Sequence, residues 1–183
     1  MKTSTRFRKR APVAAMLGSL LLLSAYESSA APDHPAEHAE AGPQIPKTPL
    51  RRMPDFHLED TRGRQVTLAQ FRGQVLLVDF WATWCAPCKK EMPGYEALYR
   101  RYRTRGFAVV GIAADSDRAA VAKFGRKLGI TYPLLINGMD VQRYGVQGLP
   151  TTILVDREGF VCKEVVGFEY TRVIEASVKQ LLR

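Results

Sequence analysis

Two thiols, Cys85 and Cys88, are held apart by only Ala86 and Pro87. Cys-x-x-Cys spacing suits two chemistries: a dithiol that opens and closes as a disulfide, or half of a tetrahedral zinc site. The flanks separate them. Upstream, Val75 to Trp81 (VLLVDFW) is an apolar, β-type run that delivers the chain to Cys85, and downstream Lys89-Lys90-Glu91 begins a helix-like segment. Cys85 therefore stands at or near a helix N-terminus, where free backbone N–H groups and a partial positive charge stabilise an anion. The thiolate is such an anion and is the nucleophile of disulfide exchange, so the Cys85 pKa is expected to be lowered. Cys88, one turn further on, is placed to close a disulfide with it. No obvious third and fourth metal ligand stands nearby, which favours redox chemistry.

The elements around the pair add further groups. Asp79 interrupts the apolar run, and a buried carboxylate is costly unless it is protonated or paired. Two readings stand: an acid facing a wet cavity at the strand end, or a buried acid beside the dithiol. Trp84 adjoins the nucleophile and offers an apolar contact face, while Pro87 restrains the short loop. Leu149-Pro150 precedes Thr151-Thr152 and another apolar strand. An X-Pro bond is held in cis for only about 0.5–1 kcal/mol, and a cis bond is expected here.

Around these residues the chain alternates strands and helices. Residues 55–59 alternate polar and apolar, Thr61-Arg62-Gly63-Arg64 is a turn, and residues 65–68 return, so a hairpin precedes the core. His57 falls on its polar phase and reads as exposed. Leu68 to Phe71 suits a short helix. The run Val75 to Trp81 suits a strand covered on both faces. The helix from Cys85 should reach about Arg103, kinked at Pro93. Phe107 to Ala113 is a strand, and a helix from Arg118 to Leu128 is capped by Asp117 or Ser116 and ended by Gly129. Residues 134–137 form a strand, 141–144 a helical turn, and 152–156 and 161–166 a hairpin. A terminal amphipathic helix covers 170–182. The sum is one mixed sheet with helices on both faces.

The stretch Asp79-Phe80-Trp81-Ala82, Trp84-Cys85-Ala86-Pro87-Cys88 and Pro93 resembles the thioredoxin active-site region. Glu59-Asp60, Cys88-Lys89-Lys90-Glu91 and Gly148-Leu149-Pro150-Thr151-Thr152 narrow the resemblance to the TlpA/ResA-like extracytoplasmic thiol–disulfide oxidoreductases. It implies an α/β, thioredoxin-like fold over residues 53–183: a central mixed β-sheet flanked by helices, with an N-terminal β-hairpin. It also implies site roles. Cys85 and Cys88 would be the catalytic pair, and Asp79 the buried acid moving protons to or from Cys88. Pro150 would face the dithiol, with Trp84, Ala86, Pro87 and Leu149 contacting substrate, Leu149 through its backbone. Some members carry an acid between the cysteines; Ala86 stands there in this chain, so their redox potential does not carry over.

Charge and cysteine count bound the partners. The net charge is +9, but the first 30 residues hold five Lys/Arg and one Glu. The remainder, 22 basic against 17 acidic, is only mildly basic, which argues against a nucleic-acid surface. Arg100, Arg101, Arg103 and Arg105 fall at a helix end, where cations are favourable. Residues 1–30 read as a signal peptide: Arg6, Arg8, Lys9 and Arg10, an apolar stretch over 11–26, then Ser28-Ser29-Ala30. That stretch falls short of the roughly 20 residues of a membrane span. Tyr26 stands where a lipidated cysteine would, so a lipid anchor is disfavoured; an uncleaved signal anchor is the alternative. Residues 31–52 read as a disordered tether. His34 and His38 within it could pair on a metal in a helix, but Pro35 argues against that. Cys162 is left over and reads as a packed thiol.

The expectation is a monomeric periplasmic enzyme with no metal and no cofactor beyond its redox-active disulfide. It would reduce selected protein disulfides, such as those of apocytochrome c or a copper-site protein, and be re-reduced by a membrane thiol donor. The alternatives are a protein oxidant on the same fold and a metal-binding module without turnover.

Overall fold

A computed structural model describes Ile45 and residues 51–183. The expected signal segment and nearly all of the tether, with His34 and His38, lie outside the described residues. Arg51–Arg52, read as the end of the tether, form a two-residue edge strand, β1, antiparallel to the last strand of the sheet. Arg51 is held there by the Glu164 carboxylate at 3.1 Å and the Tyr144 carbonyl at 3.3 Å, contacts too distant in sequence to be anticipated.

The described strands are β1, β2 (His57–Asp60), β3 (Gln65–Thr67), β4 (Val75–Trp81), β5 (Phe107–Ala113), β6 (Leu134–Ile136), β7 (Thr151–Val155) and β8 (Phe160–Val166). They form one sheet in the order β1-β8-β7-β4-β5-β6-β2-β3. The central strands β4 and β5 are parallel, as are β5 and β6; β7 runs antiparallel to β4. All seven residues of β4 and of β5 are buried, as their near-continuous apolar runs require. The β2–β3 hairpin forms where expected and extends the sheet by pairing with β6.

The α-helices are α1 (Ala86–Tyr102), α2 (Arg118–Leu128) and α3 (Thr171–Leu181). All three lie on the face to which Asp79 points. Tyr95 of α1 bonds Thr152, opposite Asp79. Phe124 of α2 packs on Trp81, and Glu175 of α3 bonds Arg101 and Tyr102 of α1. The other face carries shorter cover: the 3₁₀ turn Asp140–Tyr144 lays Tyr144 against Phe80, ring centroids 5.3 Å apart. The helices thus flank both faces, with the long ones all on one side.

Local chemistry sets the ends. Asp117 caps α2, accepting from the Ala119 and Ala120 amides at 2.8 and 3.1 Å, and Gly129 at φ +67° closes it. Helix α1 runs through Pro93 without ending, although proline cannot supply the amide that the Lys89 carbonyl would accept. Its basic end is tied down: Arg100 pairs with Glu96 and Arg101 with Glu175.

Candidate functional site

The parallel strands β4 and β5 fix where the chain emerges with Cys85. After Trp81 the chain turns, and Asp115, just beyond β5, pins that turn by accepting from the Thr83 amide at 2.8 Å and the Thr83 hydroxyl at 2.5 Å. Cys85 is the N-cap of α1, in extended conformation, and its sulfur accepts the Cys88 amide at 3.3 Å. A sulfur that already receives a helix-start N–H is where a thiolate is best stabilised. Pro87 sits in the first turn, where its missing N–H costs nothing. The two cysteines are joined as a disulfide with Cα atoms 5.4 Å apart. Cys88 is fully buried and Cys85 nearly so, whereas Trp84 is 64% exposed beside them.

The Leu149–Pro150 bond is cis. Strand register aligns Thr151 with Phe80 and Thr152 with Asp79, so Pro150 lies level with the end of β4, where the cysteine turn begins. The Thr151 hydroxyl bonds back to the Gly148 carbonyl at 2.7 Å, and the Gly167 amide to the Pro150 carbonyl at 2.8 Å. The structure therefore brings Cys85, Cys88, Trp84, Pro87 and Pro150 to one end of the sheet. Ala86 is exposed and Leu149 half-buried at the same end.

Asp79 is buried completely, between Gly111 of β5 and Thr152 of β7. Neither carboxylate oxygen has a protein hydrogen-bond partner. Burial, reinforced by the negative charge of Glu91, holds its pKa well above the ordinary carboxylate range. The buried alternative for Asp79 is the one the fold adopts; it does not face a wet cavity. Glu91 was missed as a site residue. It follows Cys88 by one helical turn and is buried although it continues a Lys-Lys-Glu run. Its Oε1 accepts the Glu169 amide at 2.7 Å, while Oε2 has no hydrogen-bonded partner. Burial pushes its carboxyl up to about 7, against the pull of the Glu169 amide. The signal was its i, i+3 spacing from Cys88, which puts both on one helix face.

Tyr95 stands one turn further along, its hydroxyl 2.9 Å from the Thr152 hydroxyl and its pKa raised by burial and by the charge of Asp79. The interior next to the dithiol thus holds two acids whose pKa values burial raises toward that of a thiol, which suits them to exchange protons with one. Cys162 stands apart. It lies in β8, buried, 3.6 Å from an Asp156 oxygen, and burial pushes its thiol up to about 11. His57 is exposed on β2.

Comparison with known proteins agrees with this geometry. The sequence pattern of the AhpC/TSA family matches residues 49–163. The thiol-disulfide oxidoreductase ResA of Bacillus thuringiensis is 33% identical over 133 residues, 72% of this chain and 77% of that protein. The ResA of Geobacillus thermodenitrificans is 39% identical over 116 residues, 62% of this chain and 67% of that one. Among solved structures, a thiol:disulfide interchange protein DsbE from Chlorobium tepidum superimposes with a TM-score of 0.69 at 31% identity. It covers 74% of this chain and 99% of its own.

Proposed function

The chain belongs to the AhpC/TSA family and is a thiol–disulfide oxidoreductase, and from that premise we propose that it works as a reductant of selected protein disulfides outside the cytoplasm. Reduced Cys85, as thiolate, attacks one sulfur of the client disulfide. The client S–S bond breaks, one client sulfur leaves as a thiolate and takes a proton, and a Cys85–client mixed disulfide forms. Cys88 then loses its proton and attacks the Cys85 sulfur. The second client thiol departs, and two electrons have passed to the client as the Cys85–Cys88 disulfide closes. The buried acids Asp79 and Glu91 receive and return the Cys88 proton. A membrane thiol donor restores the dithiol.

The direction rests on one observation: two buried, incompletely paired acids stand behind the pair. Neither acid supplies the positive partner that would stabilise a thiolate at Cys88. A dithiol in which the helix start favours the Cys85 thiolate but nothing favours one at Cys88 has a lower potential than the strong oxidants, whose reduced form is stabilised further. Equilibration of the protein with a thiol redox buffer tests this. The reading expects a potential well below about −200 mV; a value near about −120 mV would assign an oxidant instead. An apocytochrome c with its Cys-x-x-Cys-His site, or a copper-site protein, has the disulfide such a reductant needs. Mixed disulfides trapped by a Cys88→Ala variant in the periplasm would identify the client. Export is supported by the charged start, the apolar stretch and Ala30, and mass spectrometry should find a mature N-terminus near Ala31. Among the described residues no helix is long and apolar enough to cross a membrane.

A further inference from the structure

The large apolar side chains left exposed among the described residues are Trp84, Met139, Val166, Phe168 and Tyr170. They are not scattered. Trp84 adjoins Cys85. Met139 follows Gly138, whose amide bonds the Asp115 carbonyl, and Asp115 pins the cysteine turn. Val166 is the last residue of β8, opposite Thr151. Phe168 and Tyr170 follow it, 45% and 56% exposed, and stack edge-to-face with centroids 5.3 Å apart. All five therefore rim the dithiol end of the sheet. Exposed apolar groups gathered in one place mark a binding surface, whereas single ones need no account.

Residues 167–170 are built into the site. The Gly167 amide is bonded to the carbonyl of cis Pro150 at 2.8 Å, and the Glu169 amide to Glu91 at 2.7 Å. The segment thus spans from the cis-proline to the helix that carries Cys88, and the two bonds hold the intervening Phe168 and flanking Tyr170 outward. The Arg172 guanidinium lies 4.6 Å over the Tyr170 ring, and Lys89 and Lys90 are exposed on the first turns of α1. The rim is aromatic with a cationic border.

Resting on the reductant reading, we infer that Phe168 and Tyr170 form a specificity wall that grips the polypeptide flanking a client disulfide, selecting extended segments with apolar or aromatic neighbours and an acidic residue beyond. The occupant follows from continuity: a disulfide within reach of Cys85 brings its own flanking residues onto this rim, and rigid aromatics there supply most of the contact energy. The basic border complements an acid on that segment.

The test compares substrates. The full chain, reduced, is mixed with three disulfides: a cyclic peptide whose cysteines are flanked by Phe and Glu, the same peptide with Ser flanks, and oxidised glutathione. The wild type should reduce the Phe/Glu peptide about tenfold faster than the Ser peptide. Phe168→Ser/Tyr170→Ser should erase that preference, through KM, while leaving glutathione reduction and the unfolding midpoint unchanged; Arg172→Gln should weaken only the response to the Glu flank. Equal rates for both peptides in the wild type, or a double variant that keeps the preference, overturns the wall. A double variant that slows all three substrates alike also overturns it, since the loop would then act on the chemistry. A wild type that reduces none of the three sinks the reductant reading itself, a result distinct from either.

Discussion

Two pairs of buried acids in this molecule are treated in opposite ways. Glu96 and Glu91 lie on the same helix, five residues apart, and both are buried. Glu96 accepts the Thr131 amide at 2.7 Å, the Thr131 hydroxyl at 2.6 Å and the Arg100 guanidinium at 2.5 Å. Its pKa is lowered, because these bonds outweigh its burial. Asp60 behaves likewise, accepting from the Arg62 and Arg64 amides and the Arg64 guanidinium, and its pKa is also lowered. Glu91 has one amide donor and Asp79 none, and both pKa values are raised. A carboxylate buried for the fold is given its partners; a carboxylate left without them costs stability and is retained for another reason. The unpaired acids stand at the dithiol end, the paired ones at turns and helix flanks.

The contrast is sharpest in mutants. Glu96→Ala should destabilise by about 3 kcal/mol, since it orphans the Thr131 amide and hydroxyl, while disulfide exchange by the folded protein stays unchanged. Denaturant unfolding and a turnover assay on the same sample check both. The sign of the pH dependence follows from the lowered pKa: the stabilisation by Glu96 is full above its unfolded value and is lost as pH falls through the folded one.

Glu91→Gln should do the reverse. A raised carboxyl pKa means the native state holds its proton longer than the unfolded chain, so stability falls as pH rises from about 4.5 to about 7. Removing that group should add roughly 2 kcal/mol at pH 8, after allowance for residual solvent, and nothing below pH 4. The Gln carbonyl can still accept from the Glu169 amide. Unfolding curves at pH 4 and pH 8 read this; equal effects at both would break the contrast. Smallest is Cys162→Ala, expected to cost about 1 kcal/mol by removing a packed sulfur. Exchange activity should be untouched, and alkylation of Cys162 in the native protein should be slow at pH 7, because its thiol is pushed up to about 11.

Much of the site was legible because its signals are local. The apolar run of β4, the cysteine spacing and the first-turn proline place Cys85 at the helix start, and the Leu149-Pro150-Thr151-Thr152 stretch marks the cis bond. What escaped depends on distant partners. Glu91 reads as one more charge in a solvated Lys-Lys-Glu run until Glu169, 78 residues away, closes over it. Strand β1 is two arginines that pair only because β8 offers an edge. Phe168 and Tyr170 belong to a loop whose place is set by bonds to Pro150 and Glu91. The span of α1 was legible too: the helix was expected to run through Pro93 to about Arg103, and it ends at Tyr102.

The claim that the unpaired acids serve the dithiol is tested most directly by Asp79→Asn, measured twice across pH 5 to 9: unfolding stability, and the rate at which the reduced protein reduces oxidised glutathione. The Asp79 pKa is raised, so the wild type loses stability as pH climbs above the unfolded value of about 4, and the variant escapes that loss. The variant should therefore be at least as stable as the wild type, with an advantage that grows with pH. Yet it should reduce disulfides on the order of 10²-fold more slowly, because proton transfer at Cys88 has lost its acid. A variant that is equally fast over the whole range contradicts the account, leaving Asp79 with no part in the chemistry.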